Sequence, residues 1–318
     1  MSTRNIALIG GKGFIGSFVA DVFDKHEKNY RIYDKASESI NDSLFDITDY
    51  GTFKNIEKPD VIINLAAEHR DDVQPISQYD LVNVQGAKNV CKYASELNIN
   101  EIIFTSSVAV YGFADPNTDE SGEINYFNDY GRTKFLAEEV YKSWFREDPI
   151  NRKLVIIRPT VVFGEGNRGN VYNLMQQIIK NRFIMIGNGK NIKSMAYVRN
   201  VAEFINFSLN LDNKLHIYNY IDKPDLDMNS LIRLLRGVLK GKRSIGIRIP
   251  ALIGIIAGHA ADFISKLTGK KFPISLVRIK KFIKTTQFAS SISNTDFKPP
   301  FALEEALIKT VNFEMNDD

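Results

Sequence analysis

Short apolar runs alternate with helical patterns through the first half of the chain. The strand-like runs fall near 5–9, 30–33, 43–46, 60–64, 101–106 and 153–158, with segments of helical period between them. Runs such as Asn5-Ile6-Ala7-Leu8-Ile9 are apolar at consecutive positions, as strands covered on both faces are. Strand and helix in strict alternation predict an α/β fold built on a doubly wound parallel sheet. After Pro159 the regularity weakens, and the glycine- and asparagine-rich stretches at 164–170 and 187–191 mark loops. A first domain over 1–165 and a smaller C-terminal α/β lobe over 166–318 are expected, with 193–212 returning to the first domain. Lys298-Pro299-Pro300 should precede a last helix over 302–312.

Residues able to do chemistry gather at the C-terminal ends of these strands, where open α/β sheets bind ligands. Gly10, Gly13 and Gly16 follow the first strand and lead into a helical pattern from Phe14 and Ile15. Such a loop allows a tight turn and close approach of backbone to a pyrophosphate at a helix N-terminus. Asp34 ends the second strand about 20 residues on, where a carboxylate accepts from both ribose hydroxyls of NAD and repels a 2′-phosphate. Leu65, Ala66 and Ala67 follow the fourth strand, Ser107 the fifth and Arg158 the sixth. Tyr130 and Lys134 are four apart, so on a helix they share one face, and the ammonium should favour the phenolate.

The 318 residues include one cysteine, Cys91, which excludes an internal disulfide and suits a reducing, cytoplasmic setting. No His, Cys and Asp group has metal-ligand spacing, so no metal is expected. The net charge of +3 conceals an asymmetry: residues 233–284 hold 13 Lys and Arg against one acid, Asp262. Aromatic residues are not interleaved with those charges, which argues against nucleic acid. The longest apolar run, 249–257, is broken by Pro250 and Gly254 and too short for stable membrane insertion, but the cationic flanks of 249–267 suit peripheral association. Asn170 should cap the first helix of the second lobe and present its N-terminus to phosphates. Arg278 is a second cationic candidate.

Together the glycine loop, Asn64-Leu65-Ala66-Ala67, Ser106 to Gly112, Tyr130 to Lys134, Arg158 to Gly164 and Tyr197 to Ala202 resemble the extended short-chain dehydrogenase/reductase family. Within it the chain looks like the NAD-dependent nucleotide-sugar epimerases and reductases, UDP-hexose 4-epimerases among them. The resemblance implies a Rossmann-like domain, with Tyr130 as acid/base, Lys134 holding the nicotinamide ribose, and Ser107 bonding the reacting oxygen. Asp46 and Ile47 would join the cofactor site, and Asn83 would lie near it, giving order to the structure. Lys193 would contact the substrate diphosphate, and Thr286 would gate the sugar 2-substituent, admitting an N-acetyl group. Arg199 departs from the acid often found there in relatives. Val108-Ala109 stand where 4,6-dehydratases carry an Asp-Glu pair, which leaves elimination without proton carriers. The implied reaction is C4 epimerisation of a UDP-hexose, preferably UDP-GlcNAc/UDP-GalNAc, as in polysaccharide biosynthesis, by a homodimer pairing helices near 78–97 and 131–147. Reduction of a 4-keto nucleotide sugar and a non-catalytic NAD sensor remain as alternatives.

Overall fold

The computed structural model describes residues 4–36, 42–70, 73–268 and 275–316. In chain order the first strands are β1 (Asn5–Ile9), β2 (Asn29–Asp34), β3 (Asp42–Leu44), β4 (Val61–Asn64), β5 (Glu101–Thr105) and β6 (Lys153–Pro159). Then come β7 (Val161–Phe163), β8 (Met185–Ile186), β9 (Ile192–Tyr197), β10 (Leu215–Tyr220), β11 (Asp222–Asp227) and β12 (Arg248–Ile249). The central sheet has seven strands among the described residues, in the order β10-β6-β5-β4-β1-β2-β3, all parallel.

Alternate residues of β1 serve different cores. Ala7 and Ile9 face one cluster with Phe104, Tyr141 and Trp144. Ile6 and Leu8 face another with Val19, Phe23 and Phe204. The first face is covered by α2 (Ser77–Tyr79), a π-helical stretch Asp80–Gln85 and α3 (Gly86–Glu96), together with α4 (Asp129–Glu147). Those elements coincide closely with the two long helices expected from sequence. The second face is covered by α1 (Phe14–Lys25) and α6 (Val198–Ser208). Both faces being covered explains why the inner strands are apolar without alternation.

A third core, around Met175, Met185, Leu231 and Leu307, holds the second lobe. It draws on α5 (Asn170–Ile179), α7 (Met228–Lys240) and α10 (Leu303–Asn316). The remaining helices are α8 (Ala251–Thr268) and α9 (Leu276–Ile283). One placement differs from the expectation. Leu215–Tyr220 was assigned to the second lobe but pairs with β6 as the edge strand β10. The chain therefore returns to the central sheet as far as Tyr220, beyond the expected 193–212, and β9 itself pairs with β7 and β11 in a small separate sheet.

Candidate active site

The site lies at the C-terminal ends of β1, β2, β4 and β5. Gly10 has φ of +79°, and a Cβ there would fall 2.6 Å from Ala66 N. A Cβ on Gly16 would fall 2.4 Å from Gly10 O. Both glycines thus let the loop close against the Leu65-Ala66-Ala67 segment and α1, as a phosphate-binding turn requires. Asn64 fixes that segment: its Oδ1 accepts from Ala66 N at 3.0 Å while its Nδ2 donates to Tyr141 Oη at 2.7 Å. Phe14 and Ile15 begin α1 and pack against the second-lobe core.

Asp34 stands at the end of β2, accepting from Lys12 N at 3.0 Å and Ala36 N at 3.1 Å. Lys35 turns away from it and pairs with Asp46 at 3.1 Å. Desolvation works to raise the Asp46 carboxyl, but hydrogen bonds from Thr48 and Lys35 outweigh it and hold it below its ordinary value. Ile47 is buried, and its carbonyl accepts from Asn89 Nδ2 at 2.9 Å. The loop after β4 carries Glu68, His69 and Arg70, with Arg70 paired to Glu68 at 2.8 Å. Asp71 and Asp72 lie outside the described residues. Asn83, in the π-helical stretch, bonds Glu68 N and O at 2.9 and 3.0 Å and Thr133 Oγ1 at 3.0 Å. It ties that loop to α4, the ordering role expected of it.

Ser107 caps a short 3-10 turn at the end of β5, accepting from Ala109 N at 3.1 Å, and its hydroxyl lies near enough to the Tyr130 phenol to lower it. Asn128 caps α4 by accepting from Gly131 N at 2.9 Å, which sets the first turn and with it Tyr130. One turn on, Lys134 is 2% exposed with its Nζ 4.3 Å from the centre of the Phe104 ring. No oxygen among the described residues takes a hydrogen bond from it. An amine buried without an oxygen partner fits a ribose hydroxyl donor set, and with Asp34 and the glycine cradle the residues present fit NAD.

The titration of the pair corrects the sequence expectation. Burial pushes the Tyr130 phenol up to about 12, against the lowering effect of Ser107. Burial likewise brings the Lys134 amine down to about 7, opposed by the Glu138 carboxylate. In the chain by itself desolvation thus governs both groups, and the four-residue spacing does not by itself favour the phenolate.

Glu138 was missed from the sequence. It is buried under Lys134 on the same stripe of α4, paired with Arg158 of β6 at 2.6 Å and hydrogen-bonded by Ser106 Oγ. Arg158 also bonds Tyr111 Oη, which donates to Asn219 Oδ1 at 2.9 Å. The signal was present: Glu138 is four residues past Lys134, facing the strand that ends in Arg158.

The second-lobe candidates are placed less simply. Lys193 and Thr286 are brought side by side in a parallel bridge. Lys193 Nζ donates to Lys281 O at 2.9 Å and Lys284 O at 2.6 Å, and burial lowers it to about 8. It therefore holds the C-terminal end of α9. Asn170 is the first helical residue of α5, not its cap; Gly169 occupies that position without a side-chain bond. Arg278 sits exposed on α9. Arg199 pairs with Glu165 at 3.3 Å and lies 4.7 Å from the Phe18 ring, contacts that join α6 to the loop after β7 and to α1.

The sequence profile of the NAD dependent epimerase/dehydratase family matches residues 6–220. The chain belongs to that family. The same span covers all seven central strands and the Ser107, Tyr130 and Lys134 set. A curated relative, the N-acetyl-alpha-D-glucosaminyl-diphospho-ditrans,octacis-undecaprenol 4-epimerase of Escherichia coli O157:H7, is 43% identical over 98% of this chain and 95% of its own length. A putative UDP-glucose 4-epimerase of Methanocaldococcus jannaschii is 28% identical over 98% of this chain and 99% of its own. In fold the chain is similar to the UDP-N-acetylglucosamine 4-epimerase of Methanobrevibacter ruminantium M1, with a TM-score of 0.76, 22% identity and 100% of each chain covered.

Proposed function

We propose that the protein interconverts the C4 epimers of an N-acetylhexosamine carried on a diphosphate, N-acetylglucosamine and N-acetylgalactosamine being the preferred pair. The observation that carries this reading is the Ser107–Tyr130–Lys134 arrangement beside the glycine loop, with Val108 and Ala109 where elimination would need carboxylates. The 43% identity to a 4-epimerase of an N-acetylglucosaminyl diphosphate supports it.

Tyr130 Oη would accept the proton of the sugar 4-hydroxyl, and Ser107 would hold that oxygen by its hydroxyl. Lys134, once charged, would stabilise the phenolate from beneath and hold the nicotinamide ribose, with Glu138 supporting its charge. NAD, held by the glycine loop, Asp34 and Lys134, would supply the hydride acceptor and donor for C4. Tyr130 then gives its proton back to the oxygen, so the cycle leaves both chain and coenzyme unchanged. We further propose a cytoplasmic homodimer paired through α3 and α4, a state that sedimentation measures.

Incubation of the purified, NAD-loaded protein with UDP-GlcNAc, and separately with N-acetylglucosaminyl diphospho-undecaprenol, tests the reading. Chromatography should find the N-acetylgalactosamine epimer from at least one of them, without net change in coenzyme. Absence of conversion of both by protein shown to hold NAD would sink it. Stoichiometric consumption of NADH with a 4-keto sugar nucleotide would move the assignment to a reductase.

A further inference from the structure

Helix α8 is built inside out. Gly254 and Gly258 are on its buried side, and a Cβ on them would fall 2.5 Å from Ile186 and 2.9 Å from Ile279 and Leu276. The small residues therefore seat the helix on β8 and α9. The large apolar ones face out: Leu252 is 66% exposed, Ile253 53%, Ile256 59% and Phe263 65%. Helical spacing places 252, 256 and 263 on one stripe with 253, 260 and 264 beside it, and His259 and Lys266 along its edge. A surface helix ordinarily shows the reverse arrangement.

The segment of chain that carries this face is charged almost wholly in one sign. Residues 233–284 contain 13 Lys and Arg and one acid. That acid, Asp262, is turned inward, where its Oδ2 accepts Leu276 N at 3.2 Å. An apolar stripe on a strongly cationic segment is complementary to an anionic bilayer, with the apolar side chains in the acyl boundary and cations among the headgroups. A second copy of the same face would set like charge against like across a two-fold axis. No helix among the described residues is long and apolar enough to cross a membrane, so the contact lies in the membrane plane.

The face is also linked to the catalytic loop through α9. Lys281 lies 4.9 Å from the Phe127 ring and Lys284 4.9 Å from the Phe113 ring, two rings that stack at 4.7 Å. Lys284 Nζ donates to Phe113 O at 3.0 Å. Phe127 precedes Tyr130 by three residues. We propose that α8, with the cations flanking it, docks on an anionic bilayer. The protein would there meet its sugar diphosphate on a polyprenyl anchor, a substrate class that rests on the epimerase reading above.

Flotation of the NAD-loaded full chain with vesicles of phosphatidylethanolamine and phosphatidylglycerol, against phosphatidylcholine alone, reads the surface by itself. Binding should require phosphatidylglycerol and weaken with added salt. An Ile256→Glu, Phe263→Glu double variant should bind about tenfold less or weaker still, with melting and NAD binding unchanged. Turnover of N-acetylglucosaminyl diphospho-undecaprenol in those vesicles should fall with it, while turnover in detergent micelles should not. Failure to float, equal flotation of the double variant, or its loss of a self-associated state in place of vesicle binding would overturn the proposal. Flotation as expected with no epimerisation in either medium would instead remove the functional reading and leave the surface standing.

Discussion

Ser107 lowers the Tyr130 phenol while burial raises it, so the rising limb of a pH–rate profile should report that balance. Ser107→Ala removes the lowering contribution, and the limb should move to higher pH. Tyr130→Phe should keep NAD and lose about 10²–10⁴-fold in kcat, measured at saturating substrate. Lys134 behaves in the opposite sense. Its ordinary value of 10.5 falls to about 7 on folding, so between those values the unfolded chain holds a proton that the folded chain has shed. This residue accordingly makes stability rise with pH across that window. In the NAD-free protein Lys134→Met should flatten the slope and stabilise by on the order of a few kcal/mol near neutrality, as denaturant titrations would show. The identities of Ser107, Tyr130 and Lys134 were legible in sequence because each follows from a spacing or a strand end. Their titration was not, because desolvation depends on Phe104 packed against the amine, a contact between β5 and α4 that no local pattern announces.

Between elements, the Arg158–Glu138 pair joins β6 to α4 directly beneath the amine. Both partners are buried, so Glu138→Gln leaves a guanidinium facing an amide in a dry interior. Roughly 3–5 kcal/mol of stability should be lost in chemical denaturation. The junction of β1 and β4 is equally unforgiving. A Cβ on Gly10 would meet backbone of Ala66 in a conformation with positive φ, so Gly10→Ala should lower both melting temperature and NAD affinity in calorimetry. The inner strands could be read from apolar runs because both faces are covered. The edge strand β10 could not: Leu215 is exposed, and His216 and Asn219 interrupt the run. Its position is fixed by β6, about sixty residues earlier, and not by its own pattern. Asn170 was misplaced by one position for a related reason, since the Gly169 cap has no side chain to signal it.

Asp222 stands where the chain passes from β10 into β11. Asp222 accepts there from Tyr197 N, from Asn200 Nδ2 at 2.9 Å and from Tyr220 Oη at 3.2 Å. Desolvation raises its carboxyl from 3.8 to about 6 despite those bonds. The folded chain therefore keeps a proton that the unfolded chain has lost, and this group's contribution diminishes as pH rises through about 6. The stability difference between the wild type and Asp222→Asn should vary across that window and be level above it. The seventh strand has a further consequence, for synthesis. β6 is buried along its whole length, yet the partner that completes its outer edge is β10. A ribosome must therefore make about sixty more residues after β6 before that edge is closed. During this interval an apolar strand with unpaired backbone groups is open to other nascent chains. A fragment ending near residue 165 should aggregate where one ending beyond Tyr220 does not, which pulse-labelled pelleting of stalled chains would reveal.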